Sequence, residues 1–592
     1  MTGMCMLPAA PGVSFQLPVC CEWRPTKGRW MAGLLAKERI IAPAGFNRWR
    51  VPPASIAIHL CIGSVYAWSV FNPPLMRVRG VVASAADDWT LTQVTWIFTV
   101  AIVSLGLSAA VAGKWLERVG PRCVGVVSAC CWGGGFLVGG VGILLHQSWL
   151  LYLGYGVIGG IGLGLGYVSP VSTLIKWFPD RRGMATGLAI MGFGGGAIIG
   201  APLKESLIKH FYQSPQYLGT IEQVPLKTDS GRRFAMVEGT SREVVVVSPN
   251  EVGQMLVKEQ PGVYVVGTGR MGIAETFFVL GIGYFLVMVI ASFSYRIPAT
   301  DWKPAGWVPP EPTVSRSMIT RHDVNADQAI KTPQFYLLWV VLCFNVTAGI
   351  GVLGVAKTMI GEIFGTTLPT IVTSSFAATF VLMMSVFNML GRFAWSTASD
   401  YLGRQRVYAI FFALGAALYA SIPWIATCQS QSPSVQWLIA FYIVTMLIFT
   451  MYGGGFAAIP AYLSDLFGTR FVGGIHGRLL TAWSTAGVLG PVLTTYLRDR
   501  SLRQALMDLA SKVDPALFEK TFGVPVDQLS SLIEKKSITL PKLMAIAPPG
   551  TLDPSSTLYS TTMLTMAGLL VIAFFANAMI RPVDEVHHHN ES

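Results

Sequence analysis

Long apolar runs separated by short polar breaks set the pattern of this chain. Twelve runs fall at roughly 54–75, 91–114, 122–145, 149–175, 183–203, 272–295, 334–357, 370–399, 405–427, 435–463, 475–497 and 559–580. Each has about the 20-residue length that a helix needs to cross a bilayer. A polar segment, 296–333, carries Pro298, Pro304, Pro309, Pro310 and Pro312 and divides the runs into two sets of six. The pattern predicts an all-α polytopic membrane protein. It has an N-terminal arm over 1–50, bundles over 51–295 and 334–580, a linker between them and a tail over 581–592. Two polar stretches, 204–271 and 498–558, lie at equivalent places in the two halves. Within them Glu243-Val-Val-Val-Val-Ser248 reads as a strand and 501–535 as one or two amphipathic helices. They are tolerated insertions or a small extracellular cap.

Composition agrees with a membrane protein. Of 592 residues 52% are hydrophobic and 12% charged, about half the charge of a soluble domain. Mean hydropathy is +0.53. The net charge of +12 resides in loops and marks no nucleic-acid surface. Loops after even-numbered runs are basic: Lys114, Arg118 and Arg122; Lys176, Arg181 and Arg182; Arg404 and Arg406; Arg470 and Arg478. The first loop offsets Arg77 and Arg79 with Asp87 and Asp88. Positive-inside placement puts both termini in the cytoplasm of a plasma (inner) membrane protein. The nine cysteines form no disulfide framework and no zinc spacing, so neither metal nor cofactor is expected. His587-His588-His589 reads as a polar tail or a weak metal ligand. Residues 1–50 hold no signal peptide, and Met31 is a candidate true start.

The halves repeat one another. Gly113-Lys-Trp-Leu-Glu-Arg-Val-Gly-Pro-Arg122 corresponds to Gly391-Arg392 followed by Ser399-Asp400-Tyr-Leu-Gly-Arg404. Tyr167 to Phe178 matches Phe456 to Phe467, and Gly187 to Gly200 matches Gly477 to Gly490. Duplicated six-helix halves are the architecture of secondary transporters, with the site between them near the midplane. Gly113, Arg118, Gly120, Arg122, Asp400, Gly403 and Arg404 are the expected cytoplasmic gate. Gly156, Gly160, Gly164, Gly192, Gly194, Gly195, Gly196 and Gly200 let helices approach closely. Gly162-Leu-Gly-Leu-Gly166 lies in an apolar run, and Gly113-Lys114 lacks a following Ser or Thr, so ATP-driven transport is not expected. The spans hold no catalytic triad, His-Glu-x-x-His or paired carboxylates, so an enzyme is not expected.

Arg392 is the residue that most needs an explanation. It is the one charge in the 24 residues from Phe376 to Ser399. An arginine inside a span costs about 2.5–3.5 kcal/mol on insertion scales and needs a partner. Asp400 lies eight residues away, or about 12 Å along a helix. With no acid on its own run, Arg392 points to an anion that arrives as a ligand. The alternative is an ion pair with Asp400. Asn388, four residues earlier, shares its helix face. His59 is a candidate proton carrier or a hydrogen-bonded structural histidine.

Gly63-Ser-Val-Tyr-Ala-Trp-Ser-Val-Phe71 resembles the signature of the oxalate/formate antiporter family, within the major facilitator superfamily and near the monocarboxylate transporters. Lys37-Glu-Arg-Ile-Ile and Phe467-Gly-Thr-Arg add to the resemblance, which covers most of 36–580. It implies a 12-helix fold in which Arg392 holds a substrate carboxylate and Asn388 orients it. Tyr66 and Trp68 would then line the pocket, with Tyr167 and Tyr452 as further wall candidates. Two positions depart from the pattern. Thr481-Ala482-Trp483 stands where the oxalate exchanger has Thr-Ala-Lys, and Val70 stands where animal monocarboxylate transporters have a lysine. A dianion facing one cation leaves a charge unpaired, and a pair 4 Å apart is worth about 4 kcal/mol at a dielectric of 20. Trp483, whose repeat mate is Phe193, instead suits an apolar tail or plain helix packing. The expected function is transport of formate-, acetate-, lactate- or pyruvate-sized monocarboxylates, as proton symport or anion exchange. The alternatives are dicarboxylate antiport and a carboxylate-sensing receptor. Expected partners are a small organic anion, the lipid bilayer and protons or a counter-anion, with the chain a monomer.

Overall fold

The structure is a computed structural model that describes residues 33–229, 232–247, 257–300, 302–308, 318–320, 322–522, 525–534, 538 and 540–588. Met31, Pro309, Pro310, Pro312 and His589 lie outside the described residues. Eleven described helices are long and apolar enough to cross a membrane. Spans 1 to 6 are Arg48–Leu75, Leu91–Val119, Pro121–Leu144, Ser148–Trp177, Arg182–Phe211 and Ile273–Phe293. Spans 7 to 10 are Pro333–Phe364, Ser375–Leu402, Arg404–Gln431 and Val435–Phe467, and span 12 is Pro554–Ala578. Span 11 is Thr481–Ala510, led in by the short helix Val472–Leu479. Its apolar run gives way to Arg498, Asp499, Arg500 and Arg503 on the same helix, which therefore outlasts the span expected at 475–497. With it the fold has the twelve helices expected from the sequence.

Local sequence sets the helix ends. Span 2 opens on a capping box: Thr90 Oγ1 accepts from Gln93 N, and Gln93 Oε1 accepts from Thr90 N at 2.9 Å. Spans 2 and 8 both stop at a glycine with positive φ, Gly120 at 85° and Gly403 at 87°. These two are repeat mates, and an L side chain would be strained at either. Span 1 is irregular. Its α-helix Pro52–Gly63 passes into a 3-10 stretch, Ser64–Phe71, and Ala67 leaves the helical region at φ −90°, ψ 23°.

Glycines bring the helices into backbone contact, as the sequence leads one to expect. A Cβ at Gly160 would fall 2.7 Å from the Ala101 carbonyl of span 2, and one at Gly196 would fall 2.6 Å from the Leu60 carbonyl of span 1. The halves meet through repeat mates as well. Gly187 of span 5 lies on the Arg392 carbonyl of span 8, and Gly477 lies on the Ala109 carbonyl of span 2.

The stretch after span 5 departs from an all-helical chain. Strands β1 Tyr217–Gly219, β2 Lys227–Asp229, β3 Arg232–Val237, β4 Thr240–Val247 and β5 Gly262–Val265 form an antiparallel sheet ordered β1-β5-β4-β3-β2. The strand expected at 243–248 is part of β4 as far as Val247, and Ser248 lies outside the described residues. Val245, Val247 and Tyr264 pack on Val82 and Ala85 of the loop after span 1. Arg232 ties the sheet to Asp87 of that loop at 2.6 Å. The second long loop carries short helices Pro515–Phe522, Leu529–Glu534 and Leu540–Met544.

Candidate anion site and gate

Arg392 is fully buried on span 8. Its Nε donates to Asn388 Oδ1 at 3.0 Å, one turn away, and Nη1 donates to the Ile190 carbonyl of span 5 at 3.4 Å. Nη2 has no hydrogen-bond partner. Among the described residues no carboxylate pairs with it. Asp400, the alternative partner, instead pairs with Arg404 at 2.6 Å.

Rings enclose the guanidinium. It stands 5.2 Å from the Phe456 ring and 5.8 Å from that of Phe193. Tyr167 and Phe456 are repeat mates, as are Phe193 and Trp483. These four residues touch: Tyr167 lies 5.4 Å from Phe193 and 5.2 Å from Trp483, and Phe456 lies 4.7 Å from Trp483. Tyr66 joins from span 1, 5.1 Å from Phe193 and 6.4 Å from Trp483. Tyr452 joins through Phe456, their ring centroids 5.4 Å apart. Tyr66, Tyr167 and Tyr452 hydroxyls and Trp483 Nε1 are all buried and unpartnered. Unpaired buried polar groups each cost about 1–3 kcal/mol, so a cluster of them around a cation is chemically ready for a polar guest. One cation, neutral donors and an aromatic wall can bind a carboxylate with an apolar tail.

Not every expected wall residue comes to this place. Trp68 faces the interior of the first half, where Nε1 donates to the Val94 carbonyl at 3.3 Å and the ring lies 4.3 Å from Tyr155. The family signature gave its type but not its direction. His59 is near: Nδ1 lies 3.2 Å from the Ser55 carbonyl, Nε2 is unpartnered, and the ring meets Tyr167 edge-on at 5.3 Å. Sequence reasoning passed over His476, which is buried across the halves, 5.8 Å from Tyr167 and also with an unpartnered Nε2. Its place at the start of span 11 was the available signal. Lys204 opens the polar stretch 204–271 in the sequence, but span 5 runs on to Phe211 and Lys204 is fully buried.

The end of the bundle with the repeated loops is sealed across the halves. Asp400 accepts from Gly183 N at 2.8 Å and Met184 N at 2.9 Å, at the N-terminus of span 5. Its repeat mate Glu117 accepts from Gly474 N at 3.0 Å, at the N-terminus of the helix leading into span 11. Arg182 and Arg404 both reach Asp465 at 3.0 Å. Asp327, before span 7, receives Lys114 and Arg478 at 2.6 Å each. Hydrogen bonds from Lys114 and then Arg478 hold its carboxyl down at about 2. Four expected gate residues do not cross the halves. Arg118 is exposed, and Arg122 donates to the carbonyls of Leu34, Phe293 and Tyr295. A Cβ at Gly403 would meet nothing within 4 Å, and one at Gly120 would meet Lys37 and Ile40 of the N-terminal arm. Gly113 does cross, packing on Gly473 and Gly474. Glu117, Asp465 and Asp327 were not anticipated. At the opposite end lies a cavity of about 410 Å³, lined by Val70 of span 1, Arg77 just beyond it and Lys357 of span 7.

The Major Facilitator Superfamily profile matches residues 54–220 and 263–491, leaving out most of the sheet. The oxalate:formate antiporter of Oxalobacter formigenes is 23% identical over 448 residues, which cover 75% of this chain and 83% of that protein. The apicoplast pyruvate carrier 1 of Toxoplasma gondii is 22% identical over 474 residues, covering 71% and 78%. Among solved structures, the transporter FucP in the outward conformation aligns with a TM-score of 0.50 at 12% identity, over 89% of this chain and 98% of FucP. The chain belongs to the Major Facilitator Superfamily and is a multi-pass membrane transporter.

Proposed function

We propose that this transporter moves small monocarboxylates by alternating access, with Arg392 as the anion anchor and Asn388 orienting it. The observation that carries this reading is a fully buried guanidinium with a free Nη2 and no carboxylate partner among the described residues. A guanidinium offers a carboxylate two parallel N–H donors. Trp483, Tyr66, Tyr167 and Tyr452 supply the wall. Trp483 favours a monoanion, because a second carboxylate would meet an indole where it needs a cation. Lactate- and pyruvate-sized acids fit this chemistry, and one similar protein is named as a pyruvate carrier.

Positive-inside placement sets the sealed end in the cytoplasm, with both termini, in a plasma or inner membrane. The state described is then closed inward, and the halves rock about Arg392 as the seal breaks. Coupling is to protons or a counter-anion. His59 and His476, each with a free Nε2 beside Tyr167, favour protons. The chain would act as a monomer, without catalytic chemistry or a cofactor.

The name of the Oxalobacter relative supports a second reading, oxalate-type dicarboxylate antiport. Proteoliposomes given labelled lactate or oxalate, with and without a pH gradient, separate the two. We expect lactate uptake that quickens with acid outside. Oxalate exchange as fast as lactate uptake would reject the monocarboxylate reading.

A further inference from the structure

Lys204 is a buried cation that the anion site does not use. Its Nζ donates to the Ser64 carbonyl at 2.7 Å and stands 4.6 Å over the Phe71 ring. Among the described residues no carboxylate pairs with it, and its neighbour Glu205 is exposed. A lysine in such a place is costly and asks for a functional reason.

The partner gives that reason. Ser64 is where the α-helix of span 1 passes into the 3-10 stretch, three residues before the irregular Ala67. Carbonyls at a helix break lose regular partners and need donors from elsewhere, above all inside a bilayer. The backbones of spans 1 and 5 already touch there, since a Cβ at Gly196 would fall 2.6 Å from Ser64 N. Two residues beyond Ser64, Tyr66 enters the aromatic cluster around Arg392. Ser69 and Val70, further along the same stretch, wall the cavity at the end opposite the seal.

We propose that Lys204 is a positioning residue of the anion site. Its ammonium clamps the break in span 1, which holds Tyr66 toward Arg392 and keeps the outer half of span 1 in place. This inference rests on the reading of Arg392 as the anchor. A neutral donor could cap a carbonyl, but a charge-assisted bond is stronger and holds the break more firmly.

The test compares Lys204→Met, Tyr66→Phe and the double variant in proteoliposomes with labelled lactate. It also follows labelling of an introduced Ser69→Cys by a membrane-impermeant maleimide. Lys204→Met should raise the half-saturation concentration about tenfold or more, as expected for one lost charged hydrogen bond, with a smaller change in maximal rate. Labelling at position 69 should quicken. In the Tyr66→Phe background Lys204→Met should add little, because it acts through Tyr66. Where methionine prevents insertion, Lys204→Gln keeps a donor and should show the same changes in weaker form. Wild-type half-saturation and labelling, or effects that multiply in the double variant, would overturn the proposal. Arg392→Lys in parallel separates the failures. Lost uptake in that variant with a normal Lys204→Met sinks the clamp alone, whereas unchanged uptake sinks anchor and clamp together.

Discussion

The rings of Phe193 and Trp483 meet at 5.4 Å, and the two residues hold equivalent places in the two halves. Their contact joins span 5 to span 11 beside the buried guanidinium. In the proposed reading, substrate charge is sensed between one fixed cation and an aromatic wall. Trp483→Lys would put a second cation near Arg392, beside the Phe193 and Phe456 rings that both residues meet. Against one cation, a second carboxylate lacks an attraction of about 4 kcal/mol at 4 Å and a dielectric of 20. The variant should therefore raise oxalate transport relative to lactate by about tenfold or more, since solvent and side-chain freedom leave only part of that energy. Competition between the two labelled acids measures the ratio, and an unchanged ratio would deny Trp483 a role in selectivity.

Asp400 and Glu117 cap helix N-termini across the halves in a reciprocal way, each from within its own loop motif. Asp400→Asn removes the charge and leaves one acceptor oxygen for two N–H donors. Hydrogen bonds to charged groups are worth about 1.5–3 kcal/mol each, so losing one shifts the balance of states about tenfold or more. Spin labels at Arg118 and Arg406, both exposed at that end, should report a longer and broader distance distribution in the variant. An unchanged distribution would mean that the seal does not depend on these caps.

Much of this was legible in the sequence. Run lengths gave the twelve helices, and the internal repeat gave both the pairing of halves and the mates Gly120 and Gly403. Arg392 and Asn388 stood out because a lone charge in an apolar run has few explanations. Trp68 misled, since a 3-10 stretch turns side chains off the face that an α-helix would give them. Lys204 was hidden because a lysine at the edge of an apolar run reads as the start of a loop. His476, Glu117 and Asp465 act across the halves, and no local pattern reports a contact between residues hundreds of positions apart.

The Asp327 contacts predict how the seal responds to pH. Its carboxyl lies at about 2, below the ordinary 3.8, because it is held by Lys114 and Arg478. A depressed carboxyl contributes fully above its ordinary value and is lost as pH falls through the lowered one. The Lys114–Asp327–Arg478 contact should therefore be constant from pH 8 to about 5 and weaken only toward pH 2. Any pH dependence of uptake near neutrality should survive Asp327→Asn, as uptake profiles of the two proteins would show. A neutral-range profile flattened by that change would place the titrating group at the seal.

The most direct measurement is lactate uptake by Arg392→Lys in proteoliposomes, with membrane insertion checked alongside. Lysine keeps the charge and loses the paired donors of the guanidinium. The expected result is a fall of about tenfold or more in uptake with normal insertion. Uptake at the wild-type rate would contradict the assignment of Arg392 as the residue that holds the anion.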